Sequence, residues 1–205
     1  MRLLIATGNE GKKRECAAIL GDLPVELVSL RDVGVTAGVE ETGSSFEENA
    51  ALKARHYSRI TGLPALADDS GLEVQALGGE PGIYSARYGG LDSDEERIAL
   101  LLDRMKAVPG PERTARFVCA VCLVWPGGPE WTSLGTCEGL ITRYPVGTAG
   151  FGYDPVFLVR SEGRTFAQMS PHHKNSVSHR ARALREMKVR VKKWLQGQID
   201  RSGEL

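Results

Sequence analysis

The chain opens with an apolar run, a glycine turn, an amphipathic stretch and a second apolar run, and that order commits it to an α/β architecture. Leu3 to Ala6 reads as a strand, Lys12 to Leu20 as a helix and Val25 to Leu30 as a second strand. Further along, Ser45-Phe46-Glu47-Glu48 is a capping box that opens a helix towards Gly62, and Ser93-Asp94-Glu95-Glu96 opens another that ends before Pro109. Arg113 to Trp125 and Glu130 to Thr142, joined around Gly127-Gly128, read as a long β-hairpin. A Gly/Pro-rich loop, a strand from Val156 to Val159 and a helix from about Ser178 to Leu195 complete the pattern. With 205 residues, 41% of them hydrophobic, the chain is expected to form one domain over residues 1–205, its sheet elaborated into two lobes.

Composition narrows the function classes. Lys+Arg 26 against Asp+Glu 26 leaves no net charge to make the whole surface a trap for nucleic acid, so any anion binding must come from local charge. No apolar run approaches a membrane span and the N-terminal run is too short for a signal peptide, so a soluble, cytoplasmic protein with neither membrane nor nucleic-acid partners is expected. Cys119 and Cys122 form a CxxC, but they lie in a predicted strand, where positions i and i+3 face opposite sides. That spacing argues against a shared zinc and for small core residues.

Four segments could carry chemistry. Ala67-Asp68-Asp69-Ser70-Gly71 puts two carboxylates and a hydroxyl at the end of a predicted buried strand, where open α/β sheets place their sites; the same residues also make good turns. If both acids are in strand they face opposite sides, so only one can meet a metal. Thr7-Gly8-Asn9-Glu10-Gly11-Lys12 joins strand to helix as a phosphate-binding loop would, although its spacing is not that of a Walker loop and an ordinary βα turn has the same form. Gly150-Phe151-Gly152-Tyr153-Asp154 could present a ring for stacking on a base and an acid for its N–H groups, or its aromatics could plug the core. Lys174 and Ser178-His179-Arg180 lead into a C-terminal helix bearing many cations, which read equally as its solvated side because Leu184, Met187, Val191 and Leu195 recur at helical spacing. Lys53 shares a helical face with Phe46 and Tyr57, and Glu40 and Glu41 sit in a Gly-bracketed loop where one acid could serve Mg²⁺.

Seven blocks in order, TGNEGK, EETG, SFEENAALKA, ADDSGLEV, ALGGEPGIYSARY, GFGYDPVF and KNSVSHRARAL, resemble the inosine triphosphate pyrophosphatase family of house-cleaning enzymes. The resemblance implies an α/β fold with an elongated central mixed sheet and flanking helices, two lobes around a nucleotide cleft, and a homodimer. It further implies Mg²⁺-dependent hydrolysis of ITP, dITP and XTP to the monophosphate and pyrophosphate. Carried over by position, Thr7, Gly8, Asn9, Glu10, Gly11 and Lys12 bind the triphosphate with Lys53, and Asp69 is the catalytic base. Asp69 and Glu40, rather than Glu41, are the metal carboxylates. Ser70, Phe151, Gly152, Tyr153 and Asp154 line the substrate pocket, and Lys174, His179 and Arg180 contact the base. A pyrimidine preference with the same chemistry and a nucleic-acid-binding role for the basic helix are the competing expectations.

Overall fold

In the computed structural model of the chain, the described backbone covers residues 1–202 and the described side chains end at residue 197. Seven strands form one mixed sheet: β1 (Arg2–Ile5), β2 (Glu26–Ser29), β3 (Ala65–Val74), β4 (Thr114–Val124), β5 (Glu130–Ile141), β6 (Phe157–Val159) and β7 (Arg164–Thr165), in the order β2-β1-β3-β4-β5-β6-β7. β1 is parallel to β2 and β3, and every later neighbour is antiparallel. The parallel part needs helical crossovers, which α1 (Glu10–Leu20) and α2 (Phe46–Thr61) supply, whereas β4 and β5 are joined by the tight turn at Gly127-Gly128. Among the described residues no helix is long and apolar enough to cross a membrane.

The helix starts follow from their caps. Asn9 stands in extended conformation before α1 and its side chain accepts from Lys12 N–H, while Ser45 does the same for Glu48 N–H at α2. At α2 the expected box is only half formed, because the Glu48 carboxylate reaches back to Ser44 N–H (2.7 Å) instead of Ser45. At α3 (Asp94–Arg104) both arms are present between Ser93 and Glu96. A short helix α4 (Pro171–Val177), capped by Ser170 with proline in its first turn, precedes α5 (His179–Ser202) and was not predicted. Ser178 stays extended between them, so α5 starts at His179.

Helices cover both faces of the parallel end of the sheet. α1 and α5 bury Leu3, Leu66, Leu123, Leu184 and Met187 on one face, and α2 buries Leu4, Ala67, Ala120 and Phe46 on the other. Each fully buried leucine here contributes about 1.5–3 kcal/mol. A separate cluster, built on Leu72, Leu101, Phe117, Val156 and Phe166, fills the far half with α3 and β6. Cys119 faces the first cluster and Cys122 the α2 cluster, so the CxxC cannot share an ion, and all four cysteines are buried and free. The α5 cations lie largely on its solvated side and are tied to local acceptors: Arg182 to Thr136 O, Arg190 to Thr132 O and Glu186, and Lys192 to Asp22.

One expectation is corrected. Asp68 and Asp69 are neither at the end of a strand nor in a turn: β3 runs on to Val74, paired with β4 from Ala65↔Val124 to Val74↔Ala115. What ends at this point is the other neighbour, since β1 pairs with β3 only at Ala65 and Leu66. The two acids therefore keep strand geometry on one edge and face an opening on the other. Gly71 continues the same edge, where a Cβ would lie 2.3 Å from Gly82 O; only glycine lets the segment 82–90 pack directly onto β3.

Candidate active site

The opening beside β3 is a cavity of about 310 Å³. One wall carries Asn9, Lys12, Glu41 and Asp69; the opposite end carries Phe151, Asp154, Lys174, His179 and Arg180. Strand alternation sends Asp69 to the α2 face, where Lys53 donates to its Oδ1 at 3.1 Å and Asn49 to its Oδ2 at 3.2 Å. Burial, with Glu41 nearby, pushes the Asp69 carboxyl above its ordinary range against the pull of Lys53 and Lys12. Lys53 also donates to Glu41 Oε1 at 2.6 Å, and Arg87 to Glu41 Oε2 at 3.2 Å. Lys53 is thus turned inward, its charge shared by two carboxylates.

Asp68 faces the other way. Its Oδ2 lies 3.0 Å from Lys12 Nζ and 3.2 Å from Arg180 Nε. Burial raises its pKa, but Lys12, Arg180 and Lys53 outweigh it and hold the carboxyl far below the usual range. Arg180, fully buried, also donates to Ser70 Oγ at 2.7 Å and to Glu15. Lys174 donates to Asp154 Oδ2 at 2.5 Å and lies 2.9 Å from Glu15. Asp68 and Glu15 thus offset the charge of Arg180 in the first turn of α5, where the helix dipole alone would disfavour a cation.

The aromatic loop splits the two readings given to it. Tyr153 is a core plug, buried in the far cluster with its hydroxyl donating to Ser85 O at 3.1 Å. Phe151 lines the cavity, half-buried, with Lys174 Nζ 4.5 Å from its ring centroid and Gly11 against its edge, where a Cβ would lie 2.5 Å away. His179 stacks on Phe117 at 4.5 Å between centroids. Burial first, then Arg180 and Lys174, push its pKa well below the ordinary imidazole value, so it is neutral at pH 7. Its Nδ1 is buried with no hydrogen-bond partner among the described residues.

The sequence profile of the Ham1 family matches residues 3–190. The chain belongs to the Ham1 family. A dITP/XTP pyrophosphatase of Geobacter sulfurreducens is 54% identical to it over 188 residues, 91% of this chain and 94% of that one. A protein of the same name from Escherichia coli is 50% identical over 188 residues, 90% and 94% of the two chains. Among solved structures, a HAM1 protein from Coxiella burnetii superposes with a TM-score of 0.86 at 40% identity, covering 94% of this chain and 99% of its own. The Ham1 protein of Staphylococcus aureus gives 0.83 at 39% identity, with 97% and 100% covered.

In this Ham1 chain not every residue named from sequence reaches the cavity. Of the loop 7–12, Asn9 and Lys12 line it, whereas Glu10 is exposed and paired with Lys13 at 2.7 Å. Gly11 instead supports Phe151 from behind. Glu41 is the loop acid at the cavity wall, and Glu40 is exposed beside it. Sequence reasoning missed Asn49, which accepts from Gly43 N–H at 2.8 Å while holding Asp69, and Glu15, which joins Lys174 to Arg180. Both are polar residues on the buried side of amphipathic helices, which is the signal that could have found them.

Proposed function

We propose that the chain hydrolyses the non-canonical purine nucleoside triphosphates ITP, dITP and XTP to the monophosphate and pyrophosphate. The observation that carries this reading is the polarity of one cavity: the Asp69 carboxyl, of raised pKa, bonded to Lys53 and with Lys12 on the same wall at one end, and a ring with buried donors at the other. The names of the curated relatives support the same substrate class.

Lys12, Lys53 and the free N–H groups at the start of α1 draw the triphosphate to the Asp69 end. Asp69 takes a proton from water as the water oxygen bonds to the α-phosphorus; the bond from α-phosphorus to the bridging oxygen breaks and pyrophosphate departs. Phe151 stacks on the purine, and Lys174, Arg180 and the neutral His179 offer donors to the 6-oxo group. Adenine would set its amino group against them and leave buried donors unpaired, which is costly. Ser70, held between Arg180 and Asp68, lines the wall between the two ends.

The donor set fits magnesium. Asp69 and the loop acids Glu40 and Glu41 are oxygen donors, and one or two carboxylates completed by waters and substrate phosphates are what this ion takes. Asp69 and Glu41 would hold it, since Lys53 brings the two together at the cavity wall whereas Glu40, the acid favoured from sequence, is exposed beside it. When bound, the ion would polarise the phosphate and offset charge on the departing pyrophosphate. The homodimer and cytoplasmic setting belong to the same reading, and light scattering tests the first.

The test is pyrophosphate release from ITP, XTP, GTP, ATP and dUTP with Mg²⁺ and again with EDTA. Release from ITP and XTP that EDTA abolishes is expected. Equal release from dUTP would replace the purine reading by a pyrimidine one, and silence on all five would overturn it.

A further inference from the structure

Several hydrogen bonds hold the loop that carries Phe151. Asp154 Oδ2 accepts from Phe151 N–H at 3.0 Å, Lys174 holds Asp154 at 2.5 Å, and Tyr153 reaches Ser85 O. A further tie comes from the first turn of α3: Gly152 N–H donates to Asp94 Oδ2 at 2.6 Å, across 58 positions of chain. Asp94 is the first residue of α3 and lines the cavity, as does Arg97 one turn on. Arg97 holds the other Asp94 oxygen at 2.6 Å and is itself fixed to Leu91 O at 2.7 Å, so the carboxylate has one available orientation.

Gly152 is the residue between the stacking ring and the core plug, in a left-handed conformation (φ 59°). Its N–H is therefore the point at which the loop's tip can be fixed independently of its two flanking aromatics. We propose that Asp94 is a positioning residue for the base: it clasps the tip of the aromatic loop to α3 and so sets the angle at which Phe151 meets the purine, without touching the phosphates. The proposal rests on the nucleotide reading above. A charge-assisted bond of this length, lost at a half-buried site, corresponds to a roughly tenfold weakening of whatever depends on it.

Calorimetric titration with IMP and, separately, with inorganic pyrophosphate tests it without requiring turnover. Asp94→Ala is expected to weaken IMP roughly tenfold and leave pyrophosphate affinity unchanged, because pyrophosphate has no base for the loop to hold. Asp94→Asn, whose amide oxygen can still accept from Gly152 N–H while its NH2 group faces Arg97, loses less IMP affinity than Asp94→Ala. Glu95→Ala, which removes a neighbouring exposed acid from the same helical turn, matches wild type. IMP affinity unchanged in Asp94→Ala, an equal loss in Glu95→Ala, or pyrophosphate weakening in step with IMP overturns the proposal. Wild-type protein that binds IMP but releases no pyrophosphate from any triphosphate refutes the hydrolase reading and leaves the clasp to be judged on IMP alone; failure to bind IMP overturns both.

Discussion

Asp68 and Asp69 are the same residue one position apart in one strand, and their surroundings are opposite. Asp68 is closed in by Lys12, Arg180, Ser70 and the Cys119 thiol, and its charge is locked on. Asp69 has one ammonium, shared with Glu41, and one amide, and burial lifts its pKa. Burial alone does not decide what a carboxylate does, since both are buried. The count of cations committed to it does: Asp68 organises the cations of the site, and Asp69 keeps the basicity to move a proton.

The sharpest way to break this contrast is to neutralise each acid. Asp69→Asn should reduce pyrophosphate release from ITP by about a thousandfold or more, a loss typical of a removed general base, with an unchanged circular dichroism spectrum. Full activity would end its assignment. Asp68→Asn should cost about 3 kcal/mol in urea unfolding, because Lys12 and the buried Arg180 are left short of an anion. A variant as stable as wild type would show that Glu15 suffices for Arg180.

The pH dependences have opposite signs. Asp68, depressed in the folded state, contributes stability that is present above its unfolded pKa and lost as pH falls towards its folded one. Asp69, raised in the folded state, costs stability as pH rises through the window between its unfolded and folded values. Metal-free Asp69→Asn should therefore lose that penalty and unfold at an equal or higher urea concentration than wild type at neutral pH, and a lower midpoint would contradict the sign. Phe151→Ala should raise KM for ITP roughly tenfold with little change in kcat, the loss of one base–aromatic stack. An unchanged KM would remove the stacking role. The smallest effect is expected on α5, where Lys192→Gln breaks an exposed, solvent-screened pair with Asp22 and should leave the urea midpoint unchanged.

The same contrast shows what was legible in the sequence. That the two acids would face opposite sides follows from strand period, and the structure keeps it; that β3 continues past them depended on pairing with β4, some fifty positions away, which no local pattern displays. The capped helices α2 and α3 were readable because Ser45, Gly62 and Ser93 act within a few residues. α4 carried a readable Ser-Pro start at Ser170-Pro171 and was missed because it is only two turns long. That Lys53 turns inward instead of reaching solvent depends on Asp69 and Glu41 on either side of it, which helical spacing alone does not display. Asp94 gave no sign at all, since a cap-region acid has a sufficient local reason to be there.

Carboxyl ¹³C NMR titration of the metal-free protein, with Asp68→Asn and Asp69→Asn used to assign the two signals, tests the central contrast most directly. The account predicts that Asp69 titrates above the ordinary aspartate range and Asp68 below it. Two acids titrating together, or in the reverse order, would contradict it.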